Sequence, residues 1–392
     1  MEQVLIGLAS GLSKLTDGDE EYLFLAHPEH DGWLRPYLGG ACGLLHTRME
    51  YPGQRGVPRL RRALIERLPP NGLRRAVLKS DGTIERTGVD VMHFAVQEAF
   101  LTDVPSIYQP HDLQHLHLPE LFSRRTRTRR ELVYRTHCER AEMVVAMTSW
   151  GKRDLVTHYA LDPAKVAVVP WGSVLWEYPE PSAQDLAGLR VRLGLGDPFL
   201  LYPSQTWPHK NHAGLLEALA LIRNRDGVDI PLVCPGTRTS EYRSLEAMMD
   251  RLGLRDTTRF PGFVTPLELR GLYALGRALV FPSRFEGWGL PVCEAFSAGL
   301  PVACSAVAGL PDLVGDAGLL FDPEDIDQIA DSVLRLWSDG ALRERLADRG
   351  RRRAEEFSFD RTARLFRAHY RRIAGASLEE EDRILLASPP PT

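Results

Sequence analysis

Two carboxylates stand eight positions apart around a glycine-rich turn, Glu286 within the turn and Glu294 beyond it. The apolar run at 278–281 predicts a strand that enters the turn, and Pro291 predicts the start of a helix that leaves it. The unbonded N–H groups and the dipole of a helix start attract phosphate, and glycines let the backbone approach a ligand closely. The two carboxylates would then hold hydroxyl groups on either side of a diphosphate. A structural alternative is that Glu294 complements the dipole of its own helix and that Glu286 is an ordinary exposed loop acid.

Basic residues follow other predicted strands. Ligands of open α/β sheets bind at the carboxyl ends of the strands, and Lys210 follows the strand predicted at 199–202. A lysine there can act as a point charge on a diphosphate, and the alternative is a solvated loop lysine. Gly236 and Arg238 follow the run at 232–234, where Arg238 would either touch phosphate or face water.

Three histidines follow the strand predicted at 106–109, namely His111, His115 and His117. Taken alone, they suggest metal ligands, but no HExxH motif or carboxylate spacing completes such a site. The sequence therefore predicts no metal, and His115 and His117 are interpreted as loop-packing residues. The D-x-D segment that begins at Asp17 is interpreted as a turn.

The segment 281–295 resembles the E-x7-E signature of retaining glycosyltransferases with the GT-B fold, the group called family 4. The resemblance extends over residues 4–372 and includes a Trp-Pro-His-Lys-Asn segment ending at Asn211 and a His-Asp-Leu element beginning at His111. The family commonly has an arginine five positions before the lysine, where this chain has Gln205. The resemblance implies an α/β fold of two Rossmann-like, doubly wound domains that face a central cleft.

The resemblance also implies roles for individual residues. It assigns Glu294 to the ribose hydroxyls of the nucleotide, Glu286 to hydroxyls of the donor sugar, and His111 to the reacting centre near the donor phosphate. Val264 falls where the family lays the nucleobase against backbone. The predicted catalytic residues are His111 and Glu286. The predicted donor-binding residues are Lys210, Gly236, Arg238, Val264, Glu286, Gly287, Trp288, Gly289, Leu290 and Glu294.

The composition narrows the class of protein. A chain of 392 residues with 44% hydrophobic content is long enough for two or three domains, and a net charge of −4 gives no sign of nucleic-acid binding. Five cysteines without a C-x-x-C pair favour neither a disulfide framework nor a zinc site, and predict a reducing cytosol. No run of 18 apolar residues predicts a transmembrane helix, and the start of the chain does not resemble a signal peptide.

Short apolar runs alternate with amphipathic helices, which is typical of βαβ units. We predict an N-terminal acceptor-side domain at 1–175, a nucleotide-sugar-binding domain at 176–358, a helix at 359–375 that returns to the first domain, and a disordered tail at 376–392. The segment 171–198 is interpreted as the interdomain link. Strands are predicted at 22–26, 43–46, 89–94, 106–109, 143–147, 166–169, 199–202, 232–234, 259–260, 278–281, 302–304 and 318–321.

The chain opens on a helical stripe of Val4, Leu8, Leu12 and Leu15. The resembled family instead begins with a strand and a glycine-rich loop. We therefore expect the first strand of the N-terminal domain and its donor-side loop to be missing, through a misplaced start, a trimmed chain or divergence.

These observations predict a metal-independent, retaining hexosyltransferase whose donor is a nucleotide diphosphate sugar and which needs no other cofactor. The Trp-Pro-His-Lys-Asn segment favours GDP-mannose, and the acceptor is expected to be a glycan or lipid-linked hydroxyl. The alternatives are a catalytically impaired nucleotide-sugar-binding protein and a GT-B nucleotide-sugar epimerase. A cytoplasmic location is expected, and a basic cluster is either a solvated helix face or a peripheral contact with the inner face of the membrane. The cluster comprises Arg124, Arg125, Arg127, Arg129 and Arg130.

Overall fold

The computed structural model describes residues 2–47, 77–196 and 198–389. These residues form two compact units: unit 1 lies within Met1–Trp171 and Phe359–Pro391, and unit 2 within Gly172–Ser358. In each unit, parallel strands alternate along the chain with helices, which is the pattern that the sequence predicts.

The helices range from 4 to 17 residues in length, and many of them begin at a polar cap or at proline. In chain order, α1 to α14 are Glu2–Ser13, Gln114–His117, Arg124–Arg140, Ser149–Tyr159, Ala183–Leu193, His212–Asp226, Tyr242–Leu252, Pro266–Leu275, Leu290–Ser297, Leu310–Val314, Ile326–Ser338, Gly340–Glu356, Phe359–Ala374 and Glu380–Ala387. Within the described residues, no helix combines the length and the apolar character that a membrane span needs.

The described part of unit 1 contains two parallel sheets. In one, β1 (Tyr22–Ala26) pairs with β2 (Cys42–His46), and in the other the order is β3-β4-β5-β6. Strands β3 to β6 are Met92–Phe94, Ser106–Tyr108, Met143–Ala146 and Val166–Val168.

The core of unit 1 contains residues of its first helix, α1, and of α13, which lies near the end of the chain. Leu8 and Leu12 of α1 are buried in one cluster with Phe366 of α13 and residues of the sheet. The two helices touch through a glycine, because a Cβ on Gly7 would lie 2.2 Å from the ring of Phe359. The helical stripe at the start of the chain is therefore covered by this packing.

Unit 2 contains a six-stranded parallel sheet in the order β9-β8-β7-β10-β11-β12. Strands β7 to β12 are Leu200–Leu201, Leu232–Pro235, Thr258–Gly262, Ala278–Phe281, Val302–Ser305 and Gly318–Phe321. Counted from β7, this is the 3-2-1-4-5-6 order of doubly wound dinucleotide-binding sheets, which reverses between β7 and β10. Ligands of such sheets bind beyond the carboxyl ends of the strands at this reversal, which is called the topological switch point.

Two segments differ from their predictions. The predicted link at 171–198 contains α5, which begins at a capping box formed by Ser182 and Asp185. The predicted tail at 376–392 contains α14, where Asp382 is buried and its Oδ2 lies 2.8 Å from Nη1 of Arg371. Both helices begin with the polar residues that also mark loops, so composition alone did not reveal them. Asp197 and residues 390–392 lie outside the described residues.

Candidate active site

The loops after β7 and β10 meet at Lys210 and Glu286. The Nζ atom of Lys210 lies 2.6 Å from Oε1 of Glu286, and the two side chains are 19% and 14% exposed. The ammonium also lies over the ring of Phe281, with 5.6 Å between Nζ and the ring centroid. Because β7 and β10 are neighbours at the switch point, the sheet order brings together two residues that are 76 positions apart. The predicted cation and the predicted loop acid therefore neutralise each other.

The backbone around Lys210 is held from three sides. The Tyr202 hydroxyl, buried at the end of β7, donates to the carbonyl of Lys210 at 2.6 Å. Asn211 adopts the left-handed conformation with φ 55°, caps α6 with its side chain, and donates to a carbonyl of the loop after β12 at 2.8 Å. The loop after β10 is tied to the same segment, because the Arg284 N–H donates to the His209 carbonyl at 2.7 Å. These bonds fix the two loops to each other independently of the ion pair.

Glu294 lies in a different environment, in the second turn of α9. Its residue is 1% exposed, and the Tyr273 hydroxyl of α8 lies 2.6 Å from its Oε2 and 3.2 Å from the carbonyl of Pro291. Burial and the neighbouring Glu294 carboxylate raise the pKa of Tyr273 well above its usual value, so the hydroxyl keeps its proton and donates. Sequence reasoning missed Tyr273, because it lies on another helix, 21 positions before Glu294.

The glycine-rich turn is shaped by the packing beneath it. Gly289 has a φ of 122°, and a Cβ there would lie 2.8 Å from Cδ2 of Leu310, so this position requires glycine. Trp288 is 4% exposed, and its ring packs edge-on against Phe357 with 5.1 Å between centroids. The Trp288 side chain therefore anchors the turn in the core of unit 2, and the assignment of this position to the donor stays a prediction.

The loop after β8 also reaches this end of the sheet. Gly236 has a φ of 145°, and a Cβ there would lie 2.3 Å from the Ser204 carbonyl oxygen, so glycine allows this loop to contact the loop after β7. Arg238, for which contact with phosphate stays a prediction, already has partners within unit 2. Its guanidinium lies over the ring of Tyr242, 4.4 Å from the centroid, and donates to the carbonyl of Phe260. An aromatic ring and a carbonyl of its own unit therefore engage this cation.

The remaining predicted donor-binding positions surround these loops. Val264 follows β9 and is 9% exposed, whereas the preceding Phe263 is 79% exposed. Gly287 is buried, and Leu290 is the half-buried first residue of α9. The assignment of these three positions to the nucleotide stays a prediction.

His111, the predicted catalytic residue in unit 1, is held in an unusual conformation. Its φ is 69°, a left-handed value that is uncommon outside glycine and asparagine. Its Nε2 lies 3.0 Å from the Ala95 carbonyl, and its ring meets Trp171 edge-on at 5.0 Å. Since a carbonyl only accepts, Nε2 carries the proton, and Nδ1 of the neutral ring is an acceptor. Burial lowers the pKa of His111 to about 4, so the ring is neutral near pH 7.

Three other residues considered as metal ligands, His115, Asp17 and His117, have different partners in the structure. His115 is buried, with Nε2 3.3 Å from Oε2 of Glu131, which agrees with the packing role predicted for it. Asp17 is an ion-pair partner of the buried Arg367, and this contact lowers the pKa of the Asp17 carboxyl. His117 turns towards α4 and meets an acid there, a contact that sequence reasoning did not predict.

The five arginines of the basic cluster lie at the start of α3. At about 100° per residue, their positions point around the whole circumference of the helix rather than along one face. Arg130 lies over the ring of Phe122, 4.7 Å from the centroid. The cluster therefore does not form the single basic face that a membrane contact would need.

Two family models match the chain in succession. The model described as Glycosyltransferase Family 4 matches residues 6–173, and the model described as Glycosyl transferases group 1 matches residues 190–353. The second match contains Lys210, Glu286 and Glu294, and the first contains His111.

Curated relatives carry related names. The chain is 31% identical over 220 residues to O-antigen chain mannosyltransferase B of Escherichia coli, covering 56% of this chain and 58% of that protein. It is 34% identical over 259 residues to a D-inositol 3-phosphate glycosyltransferase of a Nocardioides species, covering 62% and 56%. It is 30% identical over 226 residues to MMP alpha-(1->4)-mannosyltransferase of Mycolicibacterium hassiacum, covering 56% and 51%. The chain thus spans a little over half the length of the curated relatives it matches.

Solved structures show the same fold at lower identity. Anabaena HepE in complex with UDP and glucose is similar with a TM-score of 0.69 at 19% identity, over 94% of this chain and 95% of that one. Sucrose-phosphate synthase from Thermosynechococcus elongatus is similar with a TM-score of 0.67 at 22% identity, over 86% and 84%. The first part of the chain thus matches Glycosyltransferase Family 4 and the second part matches the Glycosyl transferases group 1, and the chain has the GT-B fold of these structural neighbours.

Proposed function

We propose that this protein is a retaining glycosyltransferase that moves a hexose from a nucleotide diphosphate sugar to a hydroxyl of a glycan or lipid-linked acceptor. The observation that carries the proposal is the Lys210–Glu286 pair at the switch point of the unit 2 sheet, with Nζ and Oε1 2.6 Å apart. An ion pair at this position presents one cation and one carboxylate to a ligand that carries both phosphate and hydroxyl groups.

In this proposal, the diphosphate replaces Glu286 as the ion-pair partner of Lys210 when the donor binds. The ammonium stabilises the charge that develops on the leaving diphosphate, together with the N–H groups at the start of α9. Glu286, released from its partner, accepts hydrogen bonds from hydroxyls of the donor sugar. The side-chain exposure of 19% and 14% supports this exchange, because both groups are reachable without unfolding of the loops.

Glu294 is proposed to hold the ribose hydroxyls. Its carboxylate is fixed by Tyr273, with 2.6 Å between the hydroxyl and Oε2, so its geometry is preorganised before a ligand arrives. A fixed acceptor loses little conformational freedom on binding, which favours affinity.

His111 is proposed to accept a hydrogen bond at the reacting sugar. Its Nε2–H is committed to the Ala95 carbonyl at 3.0 Å, which leaves Nδ1 as the acceptor. The lowered pKa, about 4, excludes a role as a cationic acid near pH 7. No covalent intermediate on His111 is part of the proposal.

The donor and the metal requirement are narrower proposals. The names of two relatives, both mannosyltransferases, support mannose as the transferred sugar, and the choice of GDP as its carrier rests on the Trp-Pro-His-Lys-Asn segment alone. We also propose a donor site that needs no metal, in which Lys210 and the N–H groups at the start of α9 meet the charge of the diphosphate. The arginines at the start of α3 form no single basic face, so the proposal contains no membrane surface.

A donor panel tests the proposal directly. The purified protein is mixed with GDP-mannose, UDP-glucose and other nucleotide sugars, with glycan and lipid-linked acceptors, and nucleotide release and product are followed with and without EDTA. We expect transfer from GDP-mannose that survives EDTA, with NMR showing a retained anomeric configuration. An inverted product, or metal-restored activity in a chelated sample, contradicts the mechanism. Conversion of the donor sugar without an acceptor indicates a nucleotide-sugar epimerase. Binding of the donor without turnover indicates a catalytically impaired nucleotide-sugar-binding protein.

A further inference from the structure

Three metal-ligating side chains of unit 1, from two helices, converge at one point. His117 ends α2, and Asp154 and His158 lie one turn apart on α4. The Nε2 atoms of His117 and His158 lie 2.8 and 3.3 Å from the same Oδ1 atom of Asp154. The three ligand atoms lie within 4.8 Å of one another.

The local sequence explains this convergence. Residues four positions apart on a helix face the same side, so Asp154 and His158 share one face of α4. His117 approaches that face from the segment that follows the His111 element, and its ring meets the ring of His158 edge-on at 5.3 Å. The D-x3-H spacing on α4 was visible in the sequence, but the third ligand lies 37 positions earlier than Asp154.

We propose that His117, Asp154 and His158 form a binding site for a divalent cation of the zinc class, with water completing the coordination. Two imidazoles and one carboxylate are a zinc ligand set, and three protein ligands with an open fourth position are a common arrangement. Bonds of about 2.0 Å in a tetrahedral site place ligand atoms roughly 3.3 Å apart. The observed separations of 2.8 and 3.3 Å need only a small expansion to admit the ion.

The burial of the three side chains suits an ion that enters from solvent. The Asp154 side chain is 8% exposed, and those of His117 and His158 are 28% and 40% exposed. The carboxylate is therefore fixed within the protein, while the imidazoles remain accessible. A cation would neutralise this enclosed charge and join α2 to α4.

A second group in unit 1 provides a matched comparison. His27, Glu29 and His30 also lie close together, but they come from one short segment, and Glu29 and His30 are exposed. The Nδ1 atom of His27 already accepts the backbone N–H of Glu29 at 3.3 Å. This group lacks both an enclosed carboxylate and a ligand from a second element, so we assign no site to it.

The test is a titration of the metal-stripped full-length protein with Zn²⁺ in competition with a chromophoric chelator, followed by Co²⁺ substitution. The variants are H117Q and H158Q, with the H27Q/H30Q double variant as the matched control. Glutamine keeps a hydrogen-bond donor near Asp154, and the melting temperature without metal verifies that each variant folds. We expect one equivalent of Zn²⁺ to bind and to raise the melting temperature, and Co²⁺ added to the metal-stripped protein to show the visible absorption of a tetrahedral ion.

The outcomes are separable. Loss of the single equivalent in H117Q and H158Q, with retention in H27Q/H30Q, supports the site. Absence of saturable binding shows a hydrogen-bonded cluster only and overturns the proposal. Binding that survives H117Q and H158Q but disappears in H27Q/H30Q also overturns it. None of these results depends on transferase activity, so the proposed function and the proposed metal site can fail independently.

Discussion

The two glutamates of the E-x7-E segment occupy opposite environments although they are eight positions apart in the chain. Glu286, in the loop after β10, is 14% exposed in its side chain and is paired with a lysine from another loop. Glu294, inside α9, is 1% exposed and is bonded to a buried tyrosine. One carboxylate has a partner that a ligand can replace, and the other has a partner that a ligand cannot reach without disturbing the core.

The different environments suit the two glutamates of the E-x7-E segment to two different roles. The Lys210–Glu286 pair is mostly buried, so its exchange costs the fold little only if the ligand supplies new partners, phosphate for the ammonium and hydroxyls for the carboxylate. A buried carboxylate must remain hydrogen-bonded, because an unsatisfied buried acceptor costs about 1–3 kcal/mol. The loop is therefore suited to changes during a reaction cycle, and the helix is suited to holding a ligand group in one place.

The largest effect is expected from removal of the exchangeable cation. Lys210→Met should lower kcat by roughly 10²–10³-fold, the range found when one preorganised electrostatic contact to developing charge is lost. The melting temperature should also fall, because Glu286, whose side chain is only 14% exposed, loses its charge partner. Steady-state kinetics with the donor selected by the panel provide the measurement.

Lys14→Met is the matched control for this substitution. Lys14 also forms an ion pair, with Nζ 3.0 Å from Oδ1 of Asp360, but it lies in unit 1 and both side chains are more than half exposed. Its activity should remain native. A Lys210→Met enzyme with native kcat would remove the functional difference between the two glutamate environments.

The next largest effect is expected at the fixed carboxylate. Glu294→Ala should weaken donor binding by about 1.5–3 kcal/mol, or roughly tenfold to a hundredfold, and should also lower the melting temperature. Calorimetric titration of the folded variant measures the first effect. Asp382→Asn in α14 of unit 1 is the control, because it alters another buried carboxylate, and it should lower stability while leaving donor affinity native. Unchanged affinity in Glu294→Ala would show that this carboxylate is purely structural.

A smaller effect is expected from the partner of that carboxylate. Tyr273→Phe removes one hydroxyl and should lower the free energy of unfolding by about 1–3 kcal/mol, the cost of leaving a buried acceptor without its donor. Donor affinity should fall by less than in Glu294→Ala, since the carboxylate itself remains. Denaturant unfolding and calorimetry measure the two quantities. A loss of affinity equal to that of Glu294→Ala would mean that Tyr273 itself contacts the ligand.

The smallest effect concerns His111, which is fixed like Glu294 but lies in unit 1. Its pKa is lowered from 6.5 to about 4, so the unfolded chain binds a proton more readily than the folded one. The stability that the neutral ring contributes is full above pH 6.5 and is lost as the pH falls towards 4. His111→Asn should therefore flatten this part of the melting-temperature profile, and exposed His30→Asn should not. The pH profile of the transfer rate should show no inflection due to His111 between about pH 5 and 8. An inflection in that range that disappears in His111→Asn would contradict the assignment of His111 as a neutral acceptor.

Much of the fold could be predicted from periodicity, because the strands are short, apolar and bounded by turn residues. The strands at Tyr22–Ala26, Ala278–Phe281 and Gly318–Phe321 have the predicted bounds. Helices α5 and α14 were not predicted, because their caps are polar segments that also occur in loops. Whether such a polar segment begins a helix or forms a loop depends on tertiary packing, which cannot be read from the sequence.

The candidate site was predictable in its members but not in their contacts. The positions of Lys210, Glu286 and Glu294 after strands or at a helix start were visible in the sequence. That Lys210 binds Glu286 follows only from the adjacency of β7 and β10. Arg238 and Trp288 were assigned from their places after a predicted strand and in the glycine-rich turn, whereas the side chains they contact, Tyr242 and Phe357, are not indicated by those places.

The most direct test of the exchange between partners is the affinity of Glu286→Gln for the nucleoside diphosphate of the donor, GDP in the first instance. Calorimetric titration should compare this variant with the native protein and with Glu294→Ala. If Glu286 competes with the diphosphate for Lys210, Glu286→Gln should bind GDP at least as tightly as the native protein, although its sugar transfer is impaired. A loss of GDP affinity in Glu286→Gln as large as that in Glu294→Ala would contradict the account, because both carboxylates would then hold the nucleotide in the same way.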